Sequence, residues 1–270
     1  MQKTYFIIIL AGLFMASCAS KSTIRAGDSL EVAFEKSMEQ YENEKYNDAA
    51  RSFETVLSIG RGTQHARDAQ YYLAESYYKD RQYLIAATEY RRYATNYPRT
   101  ERRPEVEYKE ALSYYQMSPR YNLDQTETHR AIELFQLFLQ RNGNSEYADD
   151  ARDNLENLRN KLAEKQFRAG ELYLRIGQYE AAAIYFGLTM QDYPESRFAE
   201  RALAKQIESY VVYADNSVTN RQEERYDKAV DSYHEYIQIF PRGEHRDTAE
   251  HFYGRALDGL EPFTEATAQR

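Results

Sequence analysis

A short pattern recurs five times along this chain and constrains its fold more than any other feature. Five alanines are each followed, four positions later, by an aromatic residue, and the pairs are Ala49 with Phe53, Ala86 with Tyr90, Ala131 with Phe135, Ala182 with Phe186, and Ala229 with Tyr233. Tyrosine stands three positions before the alanine in every copy except the third, which has Thr128. Proline or glycine, which commonly end helices, stand twelve positions after four of the alanines, at Pro98, Gly143, Pro194 and Pro241. Each copy therefore predicts a helix that begins near the tyrosine and stops before the proline.

The spacing of small and aromatic residues predicts helices packed in antiparallel pairs. Alanine lets two helices approach closely, and an aromatic residue four positions later fills the next turn on the same face. The preceding helix of each pair carries a similar stripe, as in Phe167, Gly170 and Tyr173. From about Leu30 to Pro241 the pattern resembles the tetratricopeptide repeat. Every interval between the reference alanines exceeds the usual repeat length of about 34 residues.

Three segments account for the extra length. Residues 117–127 contain Pro119 and Asn122, and residues 214–224 lack apolar periodicity, so both are predicted loops. Residues 145–176 contain no proline, and apolar residues recur there at steps of three and four, at Ala148, Ala151, Leu155, Leu158 and Leu162. This predicts one helix of about thirty residues shared by the third and fourth repeats. A final helix, residues 245–260, is expected to cap the stack. The predicted fold is an all-α α-solenoid of about five tetratricopeptide repeats with one long shared helix and a C-terminal capping helix.

The first residues indicate export and lipid attachment. Lys3 precedes an apolar stretch of about ten residues that ends in the small residues before Cys18, as in a secretory signal peptide. Cys18, the only cysteine, follows Met-Ala-Ser at once, and the arrangement resembles the bacterial lipoprotein box. That resemblance implies a diacylglycerol on Cys18, which becomes the first residue of the mature protein. Two or three acyl chains would anchor it stably. With Ala19 and Ser20 next and no aspartate, the resemblance implies the outer membrane of a Gram-negative bacterium. A cysteine that stands by accident beside an ordinary cleavage site is the alternative.

Composition and motifs argue against nucleic-acid binding and catalysis. The net charge of −8 is unfavourable for a phosphate-backbone partner. Ser76 and Lys79 fit the S-x-x-K expression of serine acylases, but the companion motifs are absent and the segment lies in a predicted repeat helix. The histidines show no metal-ligand spacing, and they are His65, His129, His234, His245 and His251. The chain is therefore predicted to be a binding protein without enzymatic activity, cofactor or metal.

The whole mature chain resembles the BamD family, the lipoprotein subunit of the bacterial outer-membrane β-barrel assembly machinery. The resemblance rests on Cys18, the five repeats, and the blocks YYLAESYYKDRQYLIAATEYRRYATNYP and YADDARDNLENLRNKLAEKQFRAGELYLRIGQYEAAAIYF. It implies a periplasm-facing protein that binds unfolded barrel precursors, docks on the POTRA domains of BamA, and meets other subunits of the complex. Many members carry arginine where Tyr185 stands, at a surface used for BamA contact. Tyr185 is therefore a candidate partner-docking residue.

The resemblance also implies a functional division of the chain. Residues 1–17 form the lipoprotein signal peptide and residues 18–29 a lipidated tether. Residues 30–144 form repeats one to three and receive precursors. Residues 145–262 form the long helix, repeats four and five and the cap, and dock on BamA, while residues 263–270 form a polar tail.

Tyrosines on the first helices of the N-terminal repeats are candidate ligand-binding residues. Stacked repeats curve and leave a concave face lined by those helices. An aromatic side chain with a polar tip suits an extended, aromatic-rich segment such as a precursor's C-terminal signal. Tyr41, Tyr72 and Tyr78 are the candidates. Packing inside the repeats is the alternative for each.

A second binding function fits part of the pattern. A periplasmic repeat lipoprotein could instead coordinate peptidoglycan synthesis with the cell envelope. Such coordinators usually pair a coiled coil with a shorter repeat block. The long shared helix and the full-length span of repeats favour the assembly role.

Overall fold

A computed structural model of the chain describes residues 23–268, with side chains up to residue 264. Its regular secondary structure throughout that range is α-helical, in eleven helices and no β-strand. None of the helices in the described range is long and apolar enough to cross a membrane. The predicted all-α tetratricopeptide-type fold is confirmed.

The helices fall into two compact units that divide after Gln116. The first unit contains α1 (Leu30–Glu42), α2 (Tyr46–Ile59), α3 (Gln64–Lys79), α4 (Tyr83–Asn96) and α5 (Arg103–Met117), which ends at the boundary. The second contains α6 (Thr126–Asn142), α7 (Ala148–Arg175), α8 (Tyr179–Asp192), α9 (Ala199–Asp215), α10 (Thr219–Ile239) and α11 (Arg246–Ala268). The functional division at residue 145 concerns partners and stays a prediction.

The recurring pattern marks the second helix of a pair. Tyr46, Tyr83 and Tyr179 are the first residues of α2, α4 and α8. All five reference alanines and four of the five aromatic residues that follow them are fully buried. The fifth aromatic, Tyr233, is half-buried and stacks on Tyr253 with ring centroids 4.0 Å apart. Burying each large side chain contributes about 1.5–3 kcal/mol, so this register is also the core of the fold.

Gly170 lets α7 and α8 pack closely. A Cβ at this position would lie 2.7 Å from the ring of Phe186, which is too close for any real contact. The ring of Phe167 lies 5.3 Å from that of Phe186 and 5.4 Å from that of Phe198. The small residue of the first helix thus makes room for the aromatic residue of the second.

Three of the helix pairs are joined by the same three-residue turn. Its middle residue is left-handed in each case, with φ of 59° at Glu44, 62° at Arg81 and 77° at Gly177. The residue after it donates its backbone N–H back across the turn, as from Gln82 to the carbonyl of Tyr77 at 2.8 Å. This is the Schellman ending of a helix, in which glycine is preferred because it lacks a Cβ.

Replacing Gly177 by alanine should lower the free energy of unfolding by about 1 kcal/mol, because a left-handed backbone costs an L-residue about that much. The added Cβ meets nothing closer than 3.9 Å, so the backbone alone causes the loss. Gly254, inside α11 with open space around it, is the matched control. Gly254→Ala should stabilise by about 0.5–1 kcal/mol. Denaturant unfolding of the two variants, with shifts of opposite sign, checks this prediction.

The long shared helix is confirmed as α7, which spans 28 residues and packs on both α6 and α8. Four of the five residues of its predicted apolar seam are buried, and Leu155 is half-buried. The predicted loop at residues 117–127 is also confirmed in outline, because residues 118–125 lie between α5 and α6.

The second predicted loop, residues 214–224, is wrong. Helix α9 continues to Asp215 and α10 begins at Thr219, so only residues 216–218 lie outside helices. Arginine, glutamine and glutamate favour helices even without an apolar face, and Glu224 pairs with Arg221 at 3.4 Å and with Lys228 at 3.1 Å. The last helix is also longer than predicted. It continues beyond residue 260 through Pro262, although a proline usually ends or kinks a helix.

Candidate functional site

The three tyrosines predicted to bind precursors all lie in the first unit. Tyr41 is near the end of α1, and Tyr72 and Tyr78 are on α3. Each is half-buried, so part of its ring packs inside the unit and part faces solvent. Packing inside the repeats therefore accounts for part of each ring, and contact with a precursor stays a prediction.

Tyr72 is the centre of an aromatic cluster that fixes its orientation. Its ring stacks on Phe53 at a centroid distance of 5.8 Å and meets the edges of Tyr41 and Tyr71, each at 5.3 Å. Phe34 of α1 lies 6.5 Å away. Edge-to-face pairs of this kind each contribute about 0.5–1.5 kcal/mol beyond area burial. The exposed part of Tyr72 is thus presented by a rigid surface.

Tyr78 lies further along the same helix, next to its last residue, Lys79. It meets the edge of Tyr83 at 5.3 Å and that of Tyr90 at 6.4 Å. Burial raises the pKa of Tyr78, and burial together with the charge of Glu75 raises the pKa of Tyr41 to about 12. Both phenols are therefore protonated at neutral pH and available as hydrogen-bond donors.

A polar network that the sequence analysis did not single out joins α3, α4 and α5 in the same unit. The Lys109 Nζ lies 2.6 Å from a carboxylate oxygen of Glu75 and 3.0 Å from one of Glu105. The Tyr71 hydroxyl donates to Glu105 at 2.5 Å, and the Tyr90 hydroxyl donates to Glu75. The one sequence feature that could have indicated this network is Glu75, a carboxylate directly after the buried Ala74 on a tyrosine-rich helix.

Every charge in this network has a partner. The side chains of Glu75 and Lys109 are only 8% and 21% exposed. Burial acts to lower the pKa of Lys109, but the charge and hydrogen bond of Glu75 outweigh it and hold the pKa above its ordinary value. Burial and the charge of Glu75 raise the pKa of Tyr71 and Tyr90. The network is thus an ammonium, two carboxylates and two phenol donors that hold three helices together.

A cleft of about 720 Å³ lies beside this network, and Glu105 belongs to both. Its lining carries charges of both signs, with Arg67, Arg99 and Arg102 beside Asp68, Glu101 and Glu105. The guanidinium carbon of Arg102 lies 4.2 Å from the ring centroid of Tyr71, a cation–π contact. Asp68 lies 3.9 Å from Arg67 and 3.7 Å from Arg102, so two of the three arginines already pair within the lining.

Tyr185, the predicted partner-docking residue, lies on α8 in the second unit and is half-buried. Its ring stacks on Tyr173 of α7 at a centroid distance of 5.0 Å. Exposed aliphatic side chains lie on the same two helices, at Leu172 and Ile184, and in the turn between them, at Ile176. The stacked pair of Tyr173 and Tyr185 thus lies on helices that also carry exposed aliphatic side chains, and a role of Tyr185 in docking stays a prediction.

The family described as "YfiO: Outer membrane lipoprotein" matches residues 27–225. This range includes every repeat except the end of the last and contains the tyrosine cluster, the polar network and Tyr185. The chain belongs to this family. Its relation to the BamD family is confirmed by similar proteins of that name.

Two proteins of that name show how far the sequences have diverged. The outer membrane protein assembly factor BamD of Caulobacter vibrioides is 24% identical over 79% of this chain and 71% of its own length. That of Neisseria gonorrhoeae is 25% identical over 75% of this chain and 82% of its own. Among solved structures, a tetratricopeptide repeat protein from Parabacteroides merdae is 16% identical, over 94% of this chain and 96% of that one, with a TM-score of 0.40.

Two motifs from the sequence analysis remain to be placed on this YfiO-family chain. Cys18 lies outside the described residues, so its lipid attachment stays a prediction. Ser76 is fully buried, and its hydroxyl donates to the carbonyl of Tyr72 at 2.6 Å. That hydrogen bond uses the only donor of the side chain within its own helix, which does not suit a nucleophile.

Proposed function

We propose that this chain is a lipid-anchored binding scaffold that promotes assembly of β-barrel proteins at the periplasmic face of the outer membrane. The observation that carries the proposal is the match of residues 27–225 to a family of outer membrane lipoproteins. Proteins similar to this chain are named outer membrane protein assembly factors, which supports it. The role is one of binding, without catalysis.

In this proposal the first unit receives unfolded barrel precursors. Tyr41, Tyr72 and Tyr78 offer half-buried rings that pack against aromatic neighbours. The cleft, whose lining carries charges of both signs, adds three arginine side chains that can pair with carboxylates of a ligand. An extended, aromatic-rich segment would find both apolar area and charge-assisted hydrogen bonds on this unit.

The second unit docks on the POTRA domains of BamA in this proposal, through the surface around Tyr185. The stacked pair of Tyr173 and Tyr185 supplies an aromatic face for this contact. Aromatic anchors of this kind often dominate the binding energy of protein interfaces.

Depletion and affinity purification test the proposed function. Depletion should lower the amount of folded outer-membrane barrels, and purification from solubilised outer membrane should recover BamA. Recovery of cell-wall synthases without BamA, with barrel levels unchanged, would favour a coordinator of peptidoglycan synthesis.

Tyr72→Ala with Tyr78→Ala should reduce precursor capture several-fold, since interface aromatics commonly contribute more than 1 kcal/mol each. Tyr253→Ala, which removes a half-buried stacked ring from the second unit, is the matched control.

A further inference from the structure

A second cleft, of about 320 Å³, lies in the second unit on one face of α7. Residues of α7 meet there with residues of two loops, the one before α6 and the one between α8 and α9. The residues that matter for its chemistry are Arg120, Tyr121, Asn157, Asn160, Lys161 and Arg197. Its lining residues all belong to the second unit, and Tyr185 is not one of them.

The lining of this cleft is positively charged, although the chain as a whole carries a net charge of −8. Arg120, Lys161 and Arg197 contribute three cations, and Glu164 is the single carboxylate of the lining. Glu164 is already shared, at 3.4 Å with Arg168 and at 4.0 Å with Arg197. The side chain of Arg197 is 72% exposed, so it can turn towards a ligand.

Lys161 has no counter-ion. Its Nζ donates to the hydroxyl of Ser118 at 2.7 Å and to the carbonyl of Ser118 at 3.4 Å. In the described part of the chain no carboxylate lies within 4.0 Å of it, whereas Lys109 has two. Burial lowers the pKa of Lys161, the opposite of what Glu75 does for Lys109. A half-buried ammonium without an opposite charge is costly, and a bound anion would offset that cost.

The wall of the cleft is held in place by buried hydrogen bonds. The Ser118 hydroxyl lies 2.6 Å from that of Thr128, which donates to Gln125 at 2.7 Å. The amide of Gln125 in turn donates to the carbonyl of Arg120 at 2.8 Å. Thr128 stands at the position where the other four copies of the repeat pattern have tyrosine. Its hydroxyl is what continues the chain of hydrogen bonds from Lys161 into the loop.

We propose that this cleft binds an extended segment of a partner protein through an acidic side chain of that segment. The carboxylate would meet Lys161, Arg120 and Arg197. Asn160 accepts from the backbone N–H of Arg197 at 3.0 Å, which leaves its amide nitrogen to donate to a peptide carbonyl. Asn157 offers both a donor and an acceptor, and Tyr121 offers aromatic area. Glu164 would repel a phosphate dianion about twice as strongly as a single carboxylate.

An NMR titration of the full chain in detergent tests this inference. The probe is the capped peptide acetyl-Ala-Glu-Tyr-Glu-Ala-amide, and its counterpart with glutamine in place of glutamate is the matched ligand. The acidic peptide should shift the side-chain amide signals of Asn157 and Asn160, and the glutamine peptide should bind about tenfold or more weakly, since a charged hydrogen bond contributes about 1.5–3 kcal/mol.

Two variants locate the binding. Lys161→Met and Arg197→Gln should each weaken the acidic peptide about tenfold or more. Arg197 is exposed, so its variant keeps the test valid if Lys161→Met perturbs the loop. Arg221→Gln, which removes an exposed arginine of α10, should leave binding unchanged. Equal binding of the two peptides, no shift at either asparagine, or tighter binding of inorganic phosphate than of the acidic peptide would each overturn the proposal.

Discussion

Replacing Glu75 by leucine should lower the free energy of unfolding by about 3–5 kcal/mol, the usual cost of removing one partner of a buried ion pair. Leucine has a similar volume, so little of the loss would come from a cavity. Lys109 would keep only one carboxylate, and the Tyr90 hydroxyl, which is fully buried, would lose its acceptor. Hydrogen exchange of the α3 and α4 amides, together with denaturant unfolding, measures the effect within the first unit.

Two comparisons sharpen the Glu75 experiment. Arg152→Leu breaks an ion pair with Asp149, whose side chain is 94% exposed, and should change stability by no more than about 0.5 kcal/mol. Glu75→Leu combined with Lys109→Met removes the ammonium as well, and should recover much of the loss because no unpaired charge remains. A Glu75→Leu protein as stable as the native one would show that the network does not stabilise the unit.

Replacing Cys18 by serine should move the protein from the outer-membrane fraction to the soluble periplasmic fraction. Two or three acyl chains, at about 0.8 kcal/mol per buried methylene, hold a protein stably on a membrane, and serine cannot accept the lipid through sulfur. Among the residues that the structure describes, the helices begin at Leu30, so their packing should be unchanged. Cell fractionation and the mass of the mature N-terminus measure the outcome.

Ser20→Ala is the matched control for the lipid anchor, because it changes a neighbouring polar residue and leaves the thiol. This variant should stay in the membrane fraction. If the Cys18→Ser protein also stays there after partner proteins have been washed away, the lipid anchor is refuted and Cys18 is an accidental cysteine beside an ordinary cleavage site.

The repeat register could be predicted because its causes are local. A small residue and an aromatic residue four positions apart lie on one face of a helix whatever the rest of the chain does. The alanines of the register are all buried as a consequence. The same reasoning failed at residues 219–225, where α10 begins with polar residues and has no apolar period to reveal it.

The candidate sites could also be predicted only in part from the sequence. The sequence could place Tyr41, Tyr72 and Tyr78 on the first helices of the repeats, but how much of each ring faces solvent depended on Phe34, Phe53 and Tyr83 from other helices. In the polar network, Lys109 meets Glu75 across 34 residues of sequence. Such a pair leaves no periodic signal.

What the sequence determined by itself is therefore the all-α repeat fold, the long helix α7 and the family to which the chain belongs. Each of these depends on residue patterns that can be read along the chain. Only the tertiary structure decided which charges are paired. It gave Lys109 two carboxylates and, among the described residues, left Lys161 with none within 4.0 Å. Both are lysines on amphipathic helices, and the difference arises because the helices and loops packed against each one supply different neighbours.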